Sequence, residues 1–294
     1  MCDSPIIVQP NRFRHKIPVP CGKCPPCKKR RVDSWVFRLQ EEDKASSSSH
    51  FVTLTYGGNT IPISTNGFPT LRKPDLQKFF KRLRRQTGLK LRYYAVGEYG
   101  EKNDRPHYHA IIFGVKEVEA YVKAWSLPYD DYCREYGSIG VPFLARHALG
   151  QLHVGQVSGD SIAYVAKYMD KKKNVPIHDR DDRVPEFSVM SKGLGQSYLT
   201  AHMKEYHRRR IDQLYLVKRG GFRIAMPKYY REQIWDDDEK ALQLRLIYEA
   251  CELRDYELDK KAARKGLSLE AWKRKRAEAR YLQFQKRNSK NRKL

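Results

Sequence analysis

Two strand-like segments follow each other along this sequence with only a short polar loop between them. They are LRYYAV at residues 91–96 and YHAIIFG at 108–114, both rich in β-branched and aromatic residues. Parallel strands need a long crossover, usually a helix, so neighbouring strands without one are expected to pair antiparallel. The chain is therefore predicted to be α+β, with a central, largely antiparallel sheet flanked by helices, rather than a doubly wound parallel sheet.

Periodicity and turn residues predict the other elements of this fold. The predictions are strands at 51–56 and 152–157, and helices at 34–43, 73–88, 115–125 and 160–172. Pro74 suits the first turn of the helix over 73–88, and Gly88 suits its end. The apolar stripe of that helix comprises Leu76, Phe79, Phe80 and Leu83.

Composition divides the chain into four segments. They are a Cys- and Pro-rich basic segment at 1–33, the α+β core at 34–182, an α/β extension packed on the core at 183–235, and a helical, basic C-terminal tail at 236–294. The last 36 residues, 259–294, contain fourteen Lys or Arg and three Asp or Glu, a charge of +11. Such a run is usually a solvated or disordered tail.

The net charge indicates a polyanionic partner. Lys and Arg number 58 against 34 Asp and Glu, which gives a formal charge of +24. Nucleic acid is the simplest partner of so basic a chain, and an anionic membrane surface is the alternative. The sequence contains no apolar run of the 18 or more residues expected of a spanning helix, and its first 20 residues lack the apolar centre of a secretory signal. We therefore expect a soluble, cytosolic protein that does not bind membranes.

The stretch RPHYHAIIFG at 105–114 contains a pair of histidines that could bind a metal ion. Because side chains alternate along a strand, His107 and His109 are expected on the same face of the sheet. Two imidazoles so placed can chelate a divalent ion together with a carboxylate. Glu98, at the end of the preceding strand, is the predicted third ligand, and Glu101 is a second candidate. The alternative is a pair of surface or core histidines beside a turn.

The helix over 160–172 presents two tyrosines away from its apolar side. The stripe at helical spacing consists of Ile162, Val165, Ala166 and Met169, and Asp160 or Ser161 is the predicted N-cap. Tyr164 and Tyr168 fall on the opposite side together with Lys167 and Lys171. A phenol in this setting can act as a nucleophile. The alternative is that both tyrosines pack at the edge of the sheet or stack on bases.

These motifs resemble the HUH replication initiators, which are rolling-circle endonucleases, and in particular those of gokushovirus-type microviruses. The resemblance rests on PHYHAIIFG, FVTLTY and YVAKYMDKK, and extends over roughly residues 18–232. It implies that His107, His109 and Glu98 bind Mg²⁺ or Mn²⁺, that Tyr164 and Tyr168 are alternating nucleophiles, and that Lys167 lies beside the scissile phosphate. It also implies a fold with the histidine strand in the middle of the sheet and the tyrosine helix packed across it.

The activity implied by the resemblance is nicking and rejoining of single-stranded origin DNA. One tyrosine would form a 5′-phosphotyrosine and release a 3′-OH that primes synthesis, and the second would cleave the regenerated origin. No Walker-type glycine-rich loop occurs in the sequence, so a host helicase and a host polymerase are the expected partners, in the host bacterial cytoplasm. The sequence gives no oligomeric state. Alternatives are an HUH transposase or relaxase and a non-enzymatic basic DNA-binding or packaging protein.

Three cysteines at Cys21, Cys24 and Cys27 form a second candidate metal site. They can hold structural zinc if a fourth ligand is available, such as His15 or a distant cysteine. An iron–sulfur cluster and plain reduced thiols are the alternatives. For DNA contact, the sequence favours the basic face of the helix near 75–85 and the basic tail.

Overall fold

The computed structural model describes residues 2–9, 16–100, 103–138, 140–142, 144–168, 175–218 and 220–290. The chain forms two compact units, Val36–Ser197 and Met1–Trp35 with Tyr198–Leu294. The four-segment division suggested by composition stays a prediction. Within the described ranges, no helix is long and apolar enough to cross a membrane.

Strands and helices are mixed along the chain, which confirms the predicted α+β class. The strands are β1 (Ile6–Val8), β2 (Ile17–Val19), β3 (Ser49–Thr55), β4 (Arg92–Tyr99), β5 (Pro106–Phe113), β6 (Ser126–Pro128), β7 (Arg146–Ala148), β8 (Leu152–Gln156), β9 (Phe187–Met190), β10 (Tyr215–Val217) and β11 (Arg223–Ala225). The helices are α1 (Pro25–Ala45), α2 (Lys73–Thr87), α3 (Glu119–Ala124), α4 (Tyr129–Tyr136), α5 (Gly159–Lys167), α6 (Ala201–Arg208), α7 (Lys228–Ile234), α8 (Asp237–Ala263) and α9 (Leu269–Lys290).

The central sheet belongs to the unit Val36–Ser197. In the part of the chain that the structure describes, it has five antiparallel strands in the order β8-β3-β5-β4-β9. The predicted hairpin of β4 and β5 is present, and β5 lies in the middle of the sheet between β4 and β3. The expected central position of the histidine strand is therefore confirmed.

One face of the sheet packs against α2 and α3 and forms the main core. The predicted stripe of α2 is fully buried there. As predicted, α2 has Pro74 in its first turn and ends at Gly88, which adopts a left-handed conformation with φ of 67°. The core residues contributed by β5 are Tyr108, Ala110 and Ile112.

The other face of the sheet is covered in part by α5, which packs against β5. Ile162, Val165 and Ala166 of its predicted stripe are buried. The N-cap is Ser158 rather than the predicted Asp160 or Ser161, because Ser158 and Ser161 form a reciprocal capping box. The helix ends at Lys167; Met169 and Lys171 lie outside the described residues.

Several elements differ from the sequence predictions. The segment expected to be irregular up to residue 33 contains the hairpin of β1 and β2, and α1 already begins at Pro25, since proline is well tolerated in a first helical turn. The predicted helix over 115–125 is shorter. The strand β9 was not predicted, because its four half-buried residues are too few to show a period, yet it pairs with β4 at the edge of the sheet.

The second unit contains two short hairpins and a set of helices. The hairpins are β1 with β2 and β10 with β11. The helix α8 begins with a capping box between Asp236 and Glu239, and α9 packs beside it, with Lys273 pairing with Asp255 at 2.7 Å. The predicted helical, basic C-terminal region is therefore confirmed as far as Lys290.

Candidate metal and tyrosine site

The two histidines lie at the beginning of β5, on the sheet face opposite the main core. The antiparallel register places Glu98 of β4 directly across from His107, while His109 lies across from Thr53 of β3. Directly opposed residues in an antiparallel pair project to the same face. The pairing of β4 with β5 therefore brings the predicted carboxylate to the predicted imidazoles.

The three side chains converge on one point. The Nε2 atoms of His107 and His109 each lie 2.9 Å from Oε1 of Glu98. Their candidate ligand atoms all lie within 4.8 Å of one another. Glu98 is buried, which by itself raises its pKa, but its contacts with His107 and His109 outweigh burial and hold the pKa below its usual value. The carboxylate is therefore ionised at neutral pH and can serve as a ligand.

Both imidazoles are oriented by a second contact. Nδ1 of His107 lies 2.9 Å from the carbonyl oxygen of Arg105, and Nδ1 of His109 lies 2.9 Å from Oγ1 of Thr53. Phe51 stacks on the His109 ring with centroids 5.3 Å apart. Contacts of this kind fix the ring and its tautomer in metal sites. Thr53 and Phe51 were missed from sequence, although the alternation within FVTLTY places them on one face of the strand.

The two tyrosines approach the same point from α5. The Tyr164 hydroxyl donates to Oε1 of Glu98 at 3.4 Å, and the Tyr168 hydroxyl donates to that of Tyr164 at 2.5 Å. The rings of Tyr164 and His109 meet edge to face with centroids 5.5 Å apart. Tyr164 is 41% exposed, so its phenol is open to a ligand in solution. The structure therefore brings Tyr164 and Tyr168 to the metal candidates.

The remaining predicted residues lie around this point or away from it. Lys167 is exposed on α5 immediately before Tyr168. Glu101 lies outside the described residues. The basic side of α2 lies on the other face of the sheet, and Arg82 donates to the Ala124 carbonyl at 2.7 Å instead of facing solvent fully. The proposed DNA contact by α2 is therefore remote from the histidines.

Comparison with known proteins gives this arrangement a context. Residues 49–173 match the family model for the replication-associated protein ORF2. The replication-associated protein ORF2 of Spiroplasma virus 4 is 30% identical over 235 residues, which cover 75% of this chain and 69% of that protein. The chain belongs to the replication-associated protein family of small phages.

Two further members support the assignment of this replication-associated protein. VP4 of Bdellovibrio phage phiMH2K is 28% identical over 72% of this chain and 66% of its own length. ORF4 of Chlamydia phage 1 is 27% identical over 73% of this chain and 53% of its own length. The match thus spans between about half and about two thirds of these relatives. No solved structure matches the chain.

The family match covers the whole candidate site. Residues 49–173 extend from β3 to the end of α5, and so include the histidine pair, Glu98 and both tyrosines. The fold implied by the resemblance, with the tyrosine helix against the histidine strand, is confirmed. The individual roles of these residues stay predictions.

The cysteine cluster of this replication-associated protein is larger than predicted. Cys21, Cys24 and Cys27 come together with Cys2 at the N-terminus, and their sulfur atoms lie within 4.8 Å of one another. The distant cysteine that was considered as a fourth ligand is therefore Cys2. His15, the other candidate, lies outside the described residues.

Proposed function

We propose that this protein is a metal-dependent DNA endonuclease and strand transferase that nicks a replication origin through a 5′-phosphotyrosine. It would thereby initiate rolling-circle replication of a small, circular, single-stranded DNA phage genome in the host bacterial cytoplasm. The observation that carries the proposal is the convergence of Glu98, His107, His109 and two phenols at one exposed point.

The hydrogen bonds of His107 support a cation at this point. The Arg105 carbonyl can only accept, so Nδ1 of His107 is the donor in that contact. When the imidazole is neutral, the lone pair of Nε2 is directed toward the ionised carboxylate of Glu98, so that two acceptors face each other across 2.9 Å. Two imidazole nitrogens and a carboxylate oxygen are a suitable donor set for a divalent cation, which would relieve this repulsion.

The residues that would hold Mg²⁺ or Mn²⁺ are therefore Glu98, His107 and His109. When bound, the ion would polarise a phosphodiester and offset its negative charge. The orienting contacts of Thr53 and the Arg105 carbonyl would keep both Nε2 atoms directed at the ion.

Tyr164 is well placed for the first cleavage. Its hydroxyl is the nearer of the two phenols to Glu98, at 3.4 Å from Oε1. In the proposed step, the phenolic oxygen bonds to phosphorus, the bond from phosphorus to O3′ breaks, and O3′ takes up a proton to become a free 3′-OH. Lys167, exposed beside the tyrosines, would offset the charge of the phosphate.

Tyr168 would perform the second cleavage. Its hydroxyl lies 2.5 Å from that of Tyr164, so a small movement of the DNA would bring the next scissile phosphate within its reach. The free 3′-OH could then attack the first phosphotyrosine and close the circle, which releases Tyr164. Host helicase and host polymerase would supply strand separation and synthesis.

The test is a cleavage assay with the full chain and single-stranded oligonucleotides that tile the source genome, in the presence of Mn²⁺ or Mg²⁺. We expect cleavage that a chelator abolishes, together with a nucleotide adduct on the peptide containing Tyr164 and Tyr168. Tyr164→Phe should shift the adduct to Tyr168, and the double Phe variant should form none. Tyr206→Phe, at a similarly exposed tyrosine, is the matched control.

Two outcomes would contradict the proposal in different ways. Metal-dependent cleavage without an adduct would make water the nucleophile and leave both tyrosines with a stacking or packing role. DNA binding without any cleavage of the tiled oligonucleotides would favour the non-enzymatic binding protein.

A further inference from the structure

A second cluster of metal-binding side chains lies in the other compact unit and takes no part in the proposed cleavage. It consists of Cys2, which precedes β1, and of Cys21, Cys24 and Cys27, which surround the start of α1. We propose that these four cysteines form a structural zinc site that fastens the N-terminal segment to the first turn of α1. The proposal is independent of the proposed function.

The spacing of the sulfur atoms fits a single tetrahedral ion. Zinc–thiolate bonds of about 2.3 Å in a tetrahedron place the sulfurs about 3.8 Å apart. The Sγ atoms of Cys2 and Cys24 lie 3.7 Å apart, and all four sulfurs lie within 4.8 Å. In a four-iron cluster each thiolate binds a different iron, which holds the thiolates farther apart. A disulfide needs about 2.05 Å between sulfurs, and all four cysteines are free thiols.

Hydrogen-bond donors surround the sulfur atoms. The backbone N–H groups of Lys23 and Cys24 both lie 3.4 Å from Sγ of Cys21, and that of Cys21 lies 3.2 Å from Sγ of Cys2. Donors directed at sulfur stabilise the negative charge of thiolates that bind a metal.

The other two sulfurs have donors as well. The backbone N–H of Asp3 lies 3.4 Å from Sγ of Cys24, and the Arg30 guanidinium donates to Sγ of Cys27 at 3.3 Å. Cys27 also lies in the first turn of α1, where the helix dipole favours a negative charge. The arrangement therefore suits four anionic ligands from two distant parts of the sequence.

The N-terminal segment has little apolar packing to hold it in place. The strands β1 and β2 contain three residues each, and Ile6 and Ile7 are 51% and 58% exposed. An ion pair joins Asp3 to Arg280, but so little apolar burial cannot order a segment of this size. Small units of this kind commonly depend on a metal or on disulfides. A zinc ion bound by Cys2 and the three cysteines near α1 would supply this constraint.

The test measures metal in the full chain purified under reducing conditions and dialysed against EDTA. We expect one zinc per chain by mass spectrometry of the metals. Cys24→Ser and Cys27→Ser should each lose the zinc, whereas Cys251→Ser, a cysteine of the same unit outside the cluster, should retain it. The variant with both His107→Ala and His109→Ala should also retain the zinc, which separates this site from the proposed catalytic one.

A second measurement on the wild-type chain keeps the test independent of variant folding. Replacing zinc with Co²⁺ should give strong visible absorption bands of a tetrahedral ion together with a thiolate-to-cobalt charge-transfer band. Absence of these bands, iron in place of zinc, zinc retained by Cys24→Ser, or zinc lost from the histidine variant would each overturn the proposal.

Discussion

The two faces of the central strand β5 differ in what they contribute to the protein. Tyr108, Ala110 and Ile112 point into the main core and are fully buried. His107 and His109 alternate with them and point to the opposite face, where they meet Glu98 and Tyr164. One strand thus stabilises the fold with every second residue and builds the candidate site with the others.

This separation has a consequence for mutations. Truncating a core side chain removes packing and leaves a cavity, which lowers the free energy of unfolding. Replacing a histidine removes a ligand and leaves the main core intact. Changes on the two faces of β5 should therefore affect different measurements, and this expectation can be tested with single substitutions.

The largest effect is expected for His109→Ala. Loss of a metal ligand should lower the rate of oligonucleotide cleavage at least about a thousandfold, which corresponds to about 4 kcal/mol. The circular dichroism spectrum should be unchanged. His202→Ala, at an exposed histidine on α6, should cleave like the wild type. Cleavage by His109→Ala within tenfold of the wild type would remove this histidine from the chemistry.

On the core face, Ile112→Ala should act on stability. We expect the free energy of unfolding to fall by about 2–5 kcal/mol, because the side chain is fully buried against α2 and α3. Urea denaturation measures this loss, and cleavage per folded molecule should be the same as for the wild type. A large loss of cleavage in a variant that remains fully folded would show that the two faces are coupled.

A smaller effect is expected for Thr53→Val, which removes the hydroxyl next to Nδ1 of His109. The metal concentration for half-maximal cleavage should rise about 10- to 100-fold, because the imidazole loses its orienting contact. Cleavage at saturating metal should change little. Thr55→Val is the matched control on the same strand, since the Thr55 hydroxyl donates to the Gln151 carbonyl instead. An unchanged metal dependence for Thr53→Val would argue against this role.

The smallest effect separates charges on the two sides of the sheet. Lys167→Met, next to the tyrosines, should slow cleavage about tenfold, or about 1.4 kcal/mol. The double change of Lys81→Met and Arg85→Met on α2 should alter it less than about twofold at 0.1 M salt, since exposed charges more than about 10 Å away are largely screened. A greater effect from the α2 variant would restore this helix as a DNA-contacting surface.

The sequence by itself determined the local features of this protein. Alternation in PHYHAIIFG was enough to place both histidines on one face, and the period of the α5 segment was enough to separate Tyr164 from the buried stripe. The short loop between β4 and β5 required antiparallel pairing. Each of these inferences depends only on residues close together in the chain, where backbone geometry alone determines which side chains share a face.

Only the tertiary structure decided the contacts between distant segments. The position of Thr53 beside His109 depends on the register of β3 against β5, and the edge strand β9 joins the sheet about ninety residues after its partner β4. The union of Cys2 with the cysteines near α1 is of the same kind. Such contacts follow from how strands pair and pack across the whole fold, and no local pattern in the sequence contains that information.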